Sequence, residues 1–245
     1  MDNAIYVGLS RQIVLQRALD IAANNLANTD TTGYKFEELM TNPEPVNTAR
    51  TVGISSPVVF VVDAGVARDF TQGSMLQTGG PLDVAIAGRG FFQVSTAGGM
   101  RFTRDGRFKL DPAGKLVTQD GDAVQGEGGD IVLDPKKGPV TISPSGIVSQ
   151  NGERVAKLSV VDFPDLSVLS KDGNNSYANP TGVVPLPAAS ATLQQGMLEG
   201  SNVRPVTQIT RLIQINRAYD AMANMINGAA DLSKSAVQRL GSTNP

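Results

Sequence analysis

Both ends of this chain read as long uninterrupted helices, and nearly everything between them reads as short strands and turns. Residues 3 to 28 contain no proline, and their single glycine, Gly8, lies near the start. Ile5, Leu9, Ile13, Ala18, Leu19, Ala22, Ala23 and Leu26 recur there at helical spacing. Asn28-Thr29-Asp30-Thr31-Thr32-Gly33 then supplies cap- and turn-forming residues, with Gly33 able to take positive φ. A second helix opens at Pro205, because a first-turn proline lacks only an N–H that has no intrahelical partner. From Leu212 a near-heptad series runs through Ile215, Tyr219, Met222, Ile226, Ala229, Ser233, Ala236 and Leu240. Spacing that alternates three and four describes a narrow coiled-coil-like seam, bordered here by Asn216, Asn224 and Asn227.

At 1.5 Å per residue a helix of about 33 residues is roughly 50 Å long, more than an N-terminal partner of about 25 residues can cover. Part of its face must therefore meet something else. Each large apolar side chain contributes about 1.5–3 kcal/mol on burial, while ordering backbone costs about 1–2 kcal/mol per residue. A helix pair with so few large anchors is expected to be weakly ordered until neighbouring copies cover it. The plainer alternative is two helices packed on a β core.

The middle predicts an antiparallel β-rich domain, so the fold class is α+β. Leu82, Val84 and Ile86 alternate with Asp83 and Ala85 as in a half-buried strand. Further strands are expected at Phe91–Val94, 101–103, 107–110, 115–118, 131–133, 140–142, 147–148 and 155–161. Turn signals separate them, among them Asp105-Gly106, Asp120-Gly121, Ser145-Gly146 and Asn151-Gly152. Short strands with frequent turns imply a sandwich or barrel. Pro43, Pro45 and Pro57 predict an irregular linker over 36–79, and residues 171–192 read as an exposed polar loop. The expected organisation is a helix in 1–35, that linker, a β domain over 80–192, a return segment over 193–204 and a helix over 205–245. Gln72-Gly73-Ser74-Met75-Leu76 is echoed by Gln195-Gly196-Met197-Leu198. The two could pair as antiparallel strands where the chain enters and leaves the β domain.

Composition narrows function. The 245 residues include no cysteine and no histidine, which excludes Ser-His-Asp and Cys-His nucleophilic sites, disulfides and the usual zinc sites. Twenty-one Lys and Arg against 23 Asp and Glu provide no basic field for nucleic acid. No apolar run approaches the ~20 residues of a membrane span, so no membrane insertion is expected. The N-terminus lacks the basic and apolar regions of a cleavable signal peptide. Gly88-Arg89-Gly90 lacks the rest of a phosphate-binding fingerprint and reads as a turn. Asp120-Gly121-Asp122 lacks the glutamate of a calcium loop and reads as a hairpin turn. Asp105 and Asp111 read as turn or solvent-face residues. No catalytic, cofactor-binding or metal-ligating residue is expected.

Several collinear motifs resemble the flagellar axial-protein family of rod, hook and related subunits. They begin with Ala23-Asn24-Asn25-Leu26-Ala27-Asn28-Thr29-Asp30-Thr31-Thr32-Gly33-Tyr34-Lys35. Gly73-Ser74-Met75-Leu76-Gln77-Thr78-Gly79-Gly80-Pro81-Leu82-Asp83-Val84-Ala85-Ile86 follows, then Gly90-Phe91-Phe92, Phe102-Thr103-Arg104-Asp105-Gly106 and Gly114-Lys115-Leu116-Val117-Thr118. Gln195-Gly196-Met197-Leu198-Glu199-Gly200-Ser201-Asn202-Val203 completes the set. The opening Met1-Asp2-Asn3-Ala4-Ile5-Tyr6 and the length look most like a proximal rod subunit, with a distal rod subunit as runner-up. The resemblance implies export as an unfolded chain through the flagellar type III apparatus without signal cleavage, and a place in the periplasmic rod. It implies copies of itself, distal rod subunits and neighbouring proximal rod proteins as partners. It also implies that the terminal helices form the inner tube with the β domain outside.

The residues expected at the assembly interface are Leu9, Ile13, Leu19, Asn24, Asn25, Leu26, Asn28, Leu212, Ile215, Tyr219, Met222 and Ile226. Asn is a mediocre helix former, so Asn24, Asn25 and Asn28 are expected to hydrogen-bond across subunit contacts and fix axial register. Tyr34 and Lys35 mark the junction after the helix. Two other classes compete: a β-rich carbohydrate-active enzyme using carboxylates such as Asp105 and Asp120, and a monomeric adhesin-like module. Neither uses the paired terminal seams.

Overall fold

A computed structural model describes residues 2–46, 58–173 and 175–241. Met1, Pro57 and positions 242–245 of the expected C-terminal helix lie outside the described residues. The chain forms two compact units. A helical unit contains Met1–Ala27, Glu37–Arg68 and Arg204–Pro245, and a β-rich unit contains Asn28–Phe36 and Asp69–Val203.

In the helical unit, α1 (Asp2–Ala27), a ribbon of β1 (Glu37–Val46) and β2 (Val58–Arg68), and α2 (Pro205–Gly241) pack together. α2 starts where expected, with the Arg204 carbonyl accepting the N–H of Gln208 at 3.1 Å. A Cβ at Gly8 would lie 2.8 Å from Ile226 Cγ1. Near the other end of α1, Ala22 and Asn25 line a small cavity with Gln208 and Arg211. Those two contacts make the helices antiparallel. At that register α1 runs out near residue 232, so about ten residues of α2 extend beyond it. Leu212, Ile215, Tyr219, Met222 and Ile226 are all half-buried. The side chains of Ser233 and Leu240 lie outside those described.

The ribbon replaces the irregular linker expected from the prolines. β1 and β2 pair antiparallel from Glu37↔Arg68 to Val46↔Val58, with a register shift between Met40 and Thr41. Pro43 and Pro45 are tolerated because they are two residues apart, so both missing N–H groups fall on the same edge of β1. A two-stranded ribbon leaves one edge of each strand without a partner strand, where two such gaps are tolerated.

The β-rich unit contains β3 (Met75–Gln77), β4 (Val84–Ala87), β5 (Phe91–Thr96), β6 (Gly99–Thr103), β7 (Lys109–Leu110), β8 (Leu116–Val117), β9 (Ala123–Gly126) and β10 (Gly129–Asp130). It continues through β11 (Val140–Ile142), β12 (Ile147–Gln150), β13 (Glu153–Lys157), β14 (Val160–Asp162), β15 (Ser170–Lys171), β16 (Ser176–Ala178), β17 (Leu186–Pro187), β18 (Thr192–Gln195) and β19 (Met197–Glu199). The pairings among the described residues are antiparallel, and β5 is the hub, bonded to β6, β9 and β14. Successive residues of a strand face opposite ways, so Phe92 and Val94 enter a core with Val84, Ile86, Phe108, Leu116 and Val124. Phe91 enters a second cluster with Phe102, Phe163 and Tyr177. β5 is thus buried on both faces.

The echoed segments do pair, with Met197↔Gln77, Leu198↔Leu76 and Glu199↔Met75. Asn151 and Gly152 join β12 to β13 with φ of 53° and 82°, the two positive values a tight hairpin turn requires. Two expectations fail. Residues 131–133 form no strand beyond a bridge from Val132 to Lys115, although Ile131 and Leu133 are core residues. Residues 171–192 are not simply an exposed loop, since β16 bonds to β6 and buries Tyr177.

Because Phe92 is fully buried at the hub strand, Phe92→Ala should destabilise the β-rich unit by about 3–5 kcal/mol. Urea unfolding followed by backbone circular dichroism measures this, and a change below 1 kcal/mol would contradict the hub assignment.

Candidate functional site

The expected interface residues separate into three groups. Leu9 and Ile13 lie on an exposed side of α1. They are 48% and 63% exposed, with Tyr6 beside them at 62%. The face of α1 that packs instead carries Gly8, Val14, Leu15 and Ala22. Leu19 and Leu26 are half-buried, and Asn24 is exposed. On α2 the seam residues are half-buried, but Val206, Ile209, Ile213, Met225, Leu232 and Val237 are exposed. The heptad reading missed these because it followed one helical phase. Val206, Ile209 and Ile213 repeat at three and four residues in another, which is a signal the sequence does contain.

Asn25 departs from expectation. It is buried, and its amide is used within the chain. Its Nδ2 donates to the Glu37 carbonyl at 2.7 Å, and its Oδ1 accepts the Glu37 N–H at 3.0 Å. One side chain thereby satisfies both backbone groups at the start of the ribbon, and fixes how β1 leaves α1. Asn28 closes the turn after the helix, accepting from Thr31 Oγ1 at 3.0 Å. Arg68 pairs with Glu37 at 2.8 Å, and Arg211 with Glu38 at 2.5 Å, so charges tie the ribbon to itself and to α2.

A second constellation was not anticipated. Gly33 has φ +70°, and a Cβ there would lie 2.6 Å from the Arg104 carbonyl carbon, so only glycine fits. Its N–H donates to the Glu199 carbonyl at 2.7 Å. The turn delivers Lys35 into the interior, where Nζ donates to Glu199 Oε1 at 2.5 Å and to the Thr71 carbonyl at 2.7 Å. Glu199 Oε1 also accepts the Gly73 N–H at 2.9 Å, and Oε2 accepts Arg104 Nη1 at 2.9 Å. Arg104 Nη2 donates to the Gly88 carbonyl at 2.8 Å, and the guanidinium sits over the Phe91 ring. The side chains of Lys35 and Glu199 are 0% exposed, and that of Arg104 is 3% exposed. Burial pulls the Lys35 ammonium below the ordinary lysine range, against the carboxylate of Glu199, which favours the charged form. Asn202 completes the arrangement, accepting the Phe36 N–H at 2.7 Å and donating to the Asp69 carbonyl at 2.8 Å.

These groups hold chain segments together and present no reactive atom to solvent. Asp105 is engaged by Arg107 at 2.6 Å. Asp120 and Asp122 lie in the turn before β9, where the Thr118 N–H donates to the Asp122 carbonyl at 2.9 Å. Among the described residues, no group of three or more potential ligands is placed to hold a metal, and no helix is long and apolar enough to cross a membrane.

Residues 5–35 match the family described as flagella basal body rod protein. Residues 85–150 match the flagellar hook protein FlgE/F/G D1 domain, and residues 194–239 match the flagellar basal body rod FlgEFG protein C-terminal family. The chain is 55% identical over 245 residues to the flagellar basal-body rod protein FlgF of Caulobacter vibrioides, covering 100% of both chains. It is 34% identical to FlgF of Mesorhizobium japonicum, covering 99% of each. Against the flagellar basal-body rod protein FlgG of Buchnera aphidicola subsp. Baizongia pistaciae it is 32% identical, over 94% of this chain and 96% of that one.

Asn25→Leu should cost about 2–4 kcal/mol in the helical unit, because it leaves the N–H and carbonyl of Glu37 without their amide partner. Hydrogen exchange over residues 37–46 and 58–68 checks this. Unchanged protection there, with only assembly impaired, would restore the original expectation of a contact between subunits.

Proposed function

Because the chain belongs to the flagellar basal-body rod protein family, we propose that it joins the rod by laying the exposed faces of its terminal helices against neighbouring subunits. The chain is a FlgF-like structural subunit of the flagellar basal-body rod and not an enzyme. Other rod subunits and further copies of itself are its partners.

The observation that carries the proposal is the apolar surface of the helices. Val206 is 78% exposed, Leu232 69% and Ile13 63%, and on the helices such residues recur along continuous elements. Single exposed apolar residues are ordinary, but repeated ones along both helices suit association. In this reading Leu9 and Ile13 meet a neighbour directly. Leu212, Ile215, Tyr219, Met222 and Ile226 form a coiled-coil-like seam within the subunit, and Leu19, Asn24, Leu26 and Asn28 support the adjoining contacts. The helices build the inner tube, which transmits torque and encloses part of the export path, within the periplasmic rod. The chain reaches that place unfolded, through the flagellar type III export apparatus, and neighbouring subunits supply burial that a lone helix pair lacks.

Ile13→Asp tests this without disturbing the subunit, because Ile13 is exposed. A chain carrying it should keep native circular dichroism yet fail to enter rods, leaving cells non-motile. Rods of normal length containing the variant would overturn the proposal. Ile215→Asp is a weaker test, since Ile215 is half-buried within its own helical unit.

A further inference from the structure

We propose that Lys35, Arg104 and Glu199 form a folding clasp that keeps the aromatic half of the β-rich unit open until the segment carrying Glu199 has docked. The inference goes beyond the assembly reading and does not depend on it.

The argument rests on charge and chain order. Two cations share one carboxylate in a site from which water is excluded. Thr71 and Gly88 supply carbonyls to Lys35 and Arg104, which satisfy hydrogen bonds but do not neutralise charge. Asp69 is the remaining acid acting on Lys35, and it is exposed. Before Glu199 arrives, closing this site would bury two like charges with no anion between them, a strongly unfavourable step.

The site is also part of the second core cluster. The Arg104 guanidinium lies 5.4 Å from the centroid of Phe91. Phe91 packs edge-on against Phe70 at 5.5 Å, Tyr177 at 5.9 Å and Phe163 at 6.4 Å. Completing that cluster covers Arg104, so aromatic closure and carboxylate docking are tied together. Local hairpins such as β5–β6 would otherwise be expected to consolidate first, because they close short loops. A chain folding from its N-terminal side would then protect this sheet long before position 199 was available. The clasp postpones that step to the return segment.

Pulse-labelled hydrogen exchange during refolding of the full chain from urea tests the idea. In the native sequence, amides of residues 91–103 should gain protection in the same kinetic phase as those of 197–199. In Lys35→Met/Arg104→Met/Glu199→Leu, which replaces the charges with apolar groups, residues 91–103 should become protected about tenfold sooner than residues 197–199. Protection of 91–103 ahead of 197–199 in the native chain would overturn the proposal. So would a single shared phase in the charge-free variant, which would assign the coupling to strand pairing alone. Should that variant not fold, Glu199→Gln in the native chain decides the matter. It should lower protection of 91–103 and 197–199 together, on the order of 100-fold, and loss confined to 197–199 would overturn the clasp.

Discussion

The carboxylate of Glu199 carries attachments from three places in the chain: the Lys35 ammonium, the Gly73 N–H and the Arg104 guanidinium. Breaking a buried ion pair by removing one partner typically costs about 3–5 kcal/mol, because the survivor is left charged in a dry site. Here two survivors would remain. The surrounding geometry is arranged around that carboxylate. Gly33 is needed because the backbone passes too close to Arg104 for any Cβ. The β3–β19 pairing places Glu199 opposite Met75. Asn202 fastens Phe36 and Asp69, the last and first residues of two segments of the same unit.

The two units solve the problem of apolar surface differently. In the β-rich unit β5 is sandwiched between two clusters, and Phe91 and Phe92 each reach a separate core. Among its described residues the helical unit shows no such interior. Its buried apolar side chains are mostly small or medium, including Val14, Leu15 and Ala22, and large ones remain on outer faces. Extended helices of this kind have too little shared area to bury every stripe on one another, which is why membership in a family of rod subunits is physically coherent with the exposed faces.

Local features were legible in the sequence, and long-range ones mostly were not. Both helices, their boundaries near Asn28 and Pro205, and the Asn151-Gly152 hairpin follow from spacing and turn chemistry that involve only near neighbours. The β3–β19 pair was readable because it repeats its own motif. The ribbon was obscured because prolines normally argue against strands, and no local signal announces that Pro43 and Pro45 share one edge of a two-stranded ribbon. Val132 was misread because two buried neighbours, Ile131 and Leu133, imitate strand alternation while the segment bonds through a lone bridge. The ionic cluster joins positions as much as 164 residues apart, and no local pattern announces which acid answers Lys35. For the interface residues, the seam that periodicity predicts on α2 falls on half-buried positions. Periodicity could not tell which faces of α1 are left exposed.

Asn25 shows why chemistry alone can mislead about scale. Asn25 lies near a helix end, where a mediocre helix former is expected to set register between subunits by hydrogen-bonding a specific partner. The partner is instead Glu37, twelve residues on, whose N–H and carbonyl are both taken by one amide. A planar amide binding a backbone residue in this two-point way constrains direction as well as position, so β1 can leave the end of α1 along one path only. Once that path is set, the ion pairs Glu37–Arg68 and Glu38–Arg211 fall into place on either side of it. The position of β1 against α1 is therefore set by the subunit's own residues, while the exposed stripes of the helices are left for neighbours to cover. Stripes that can slide along one another specify a contact only when something else fixes register, and inside the helical unit the Asn25–Glu37 bonds and the two ion pairs do so.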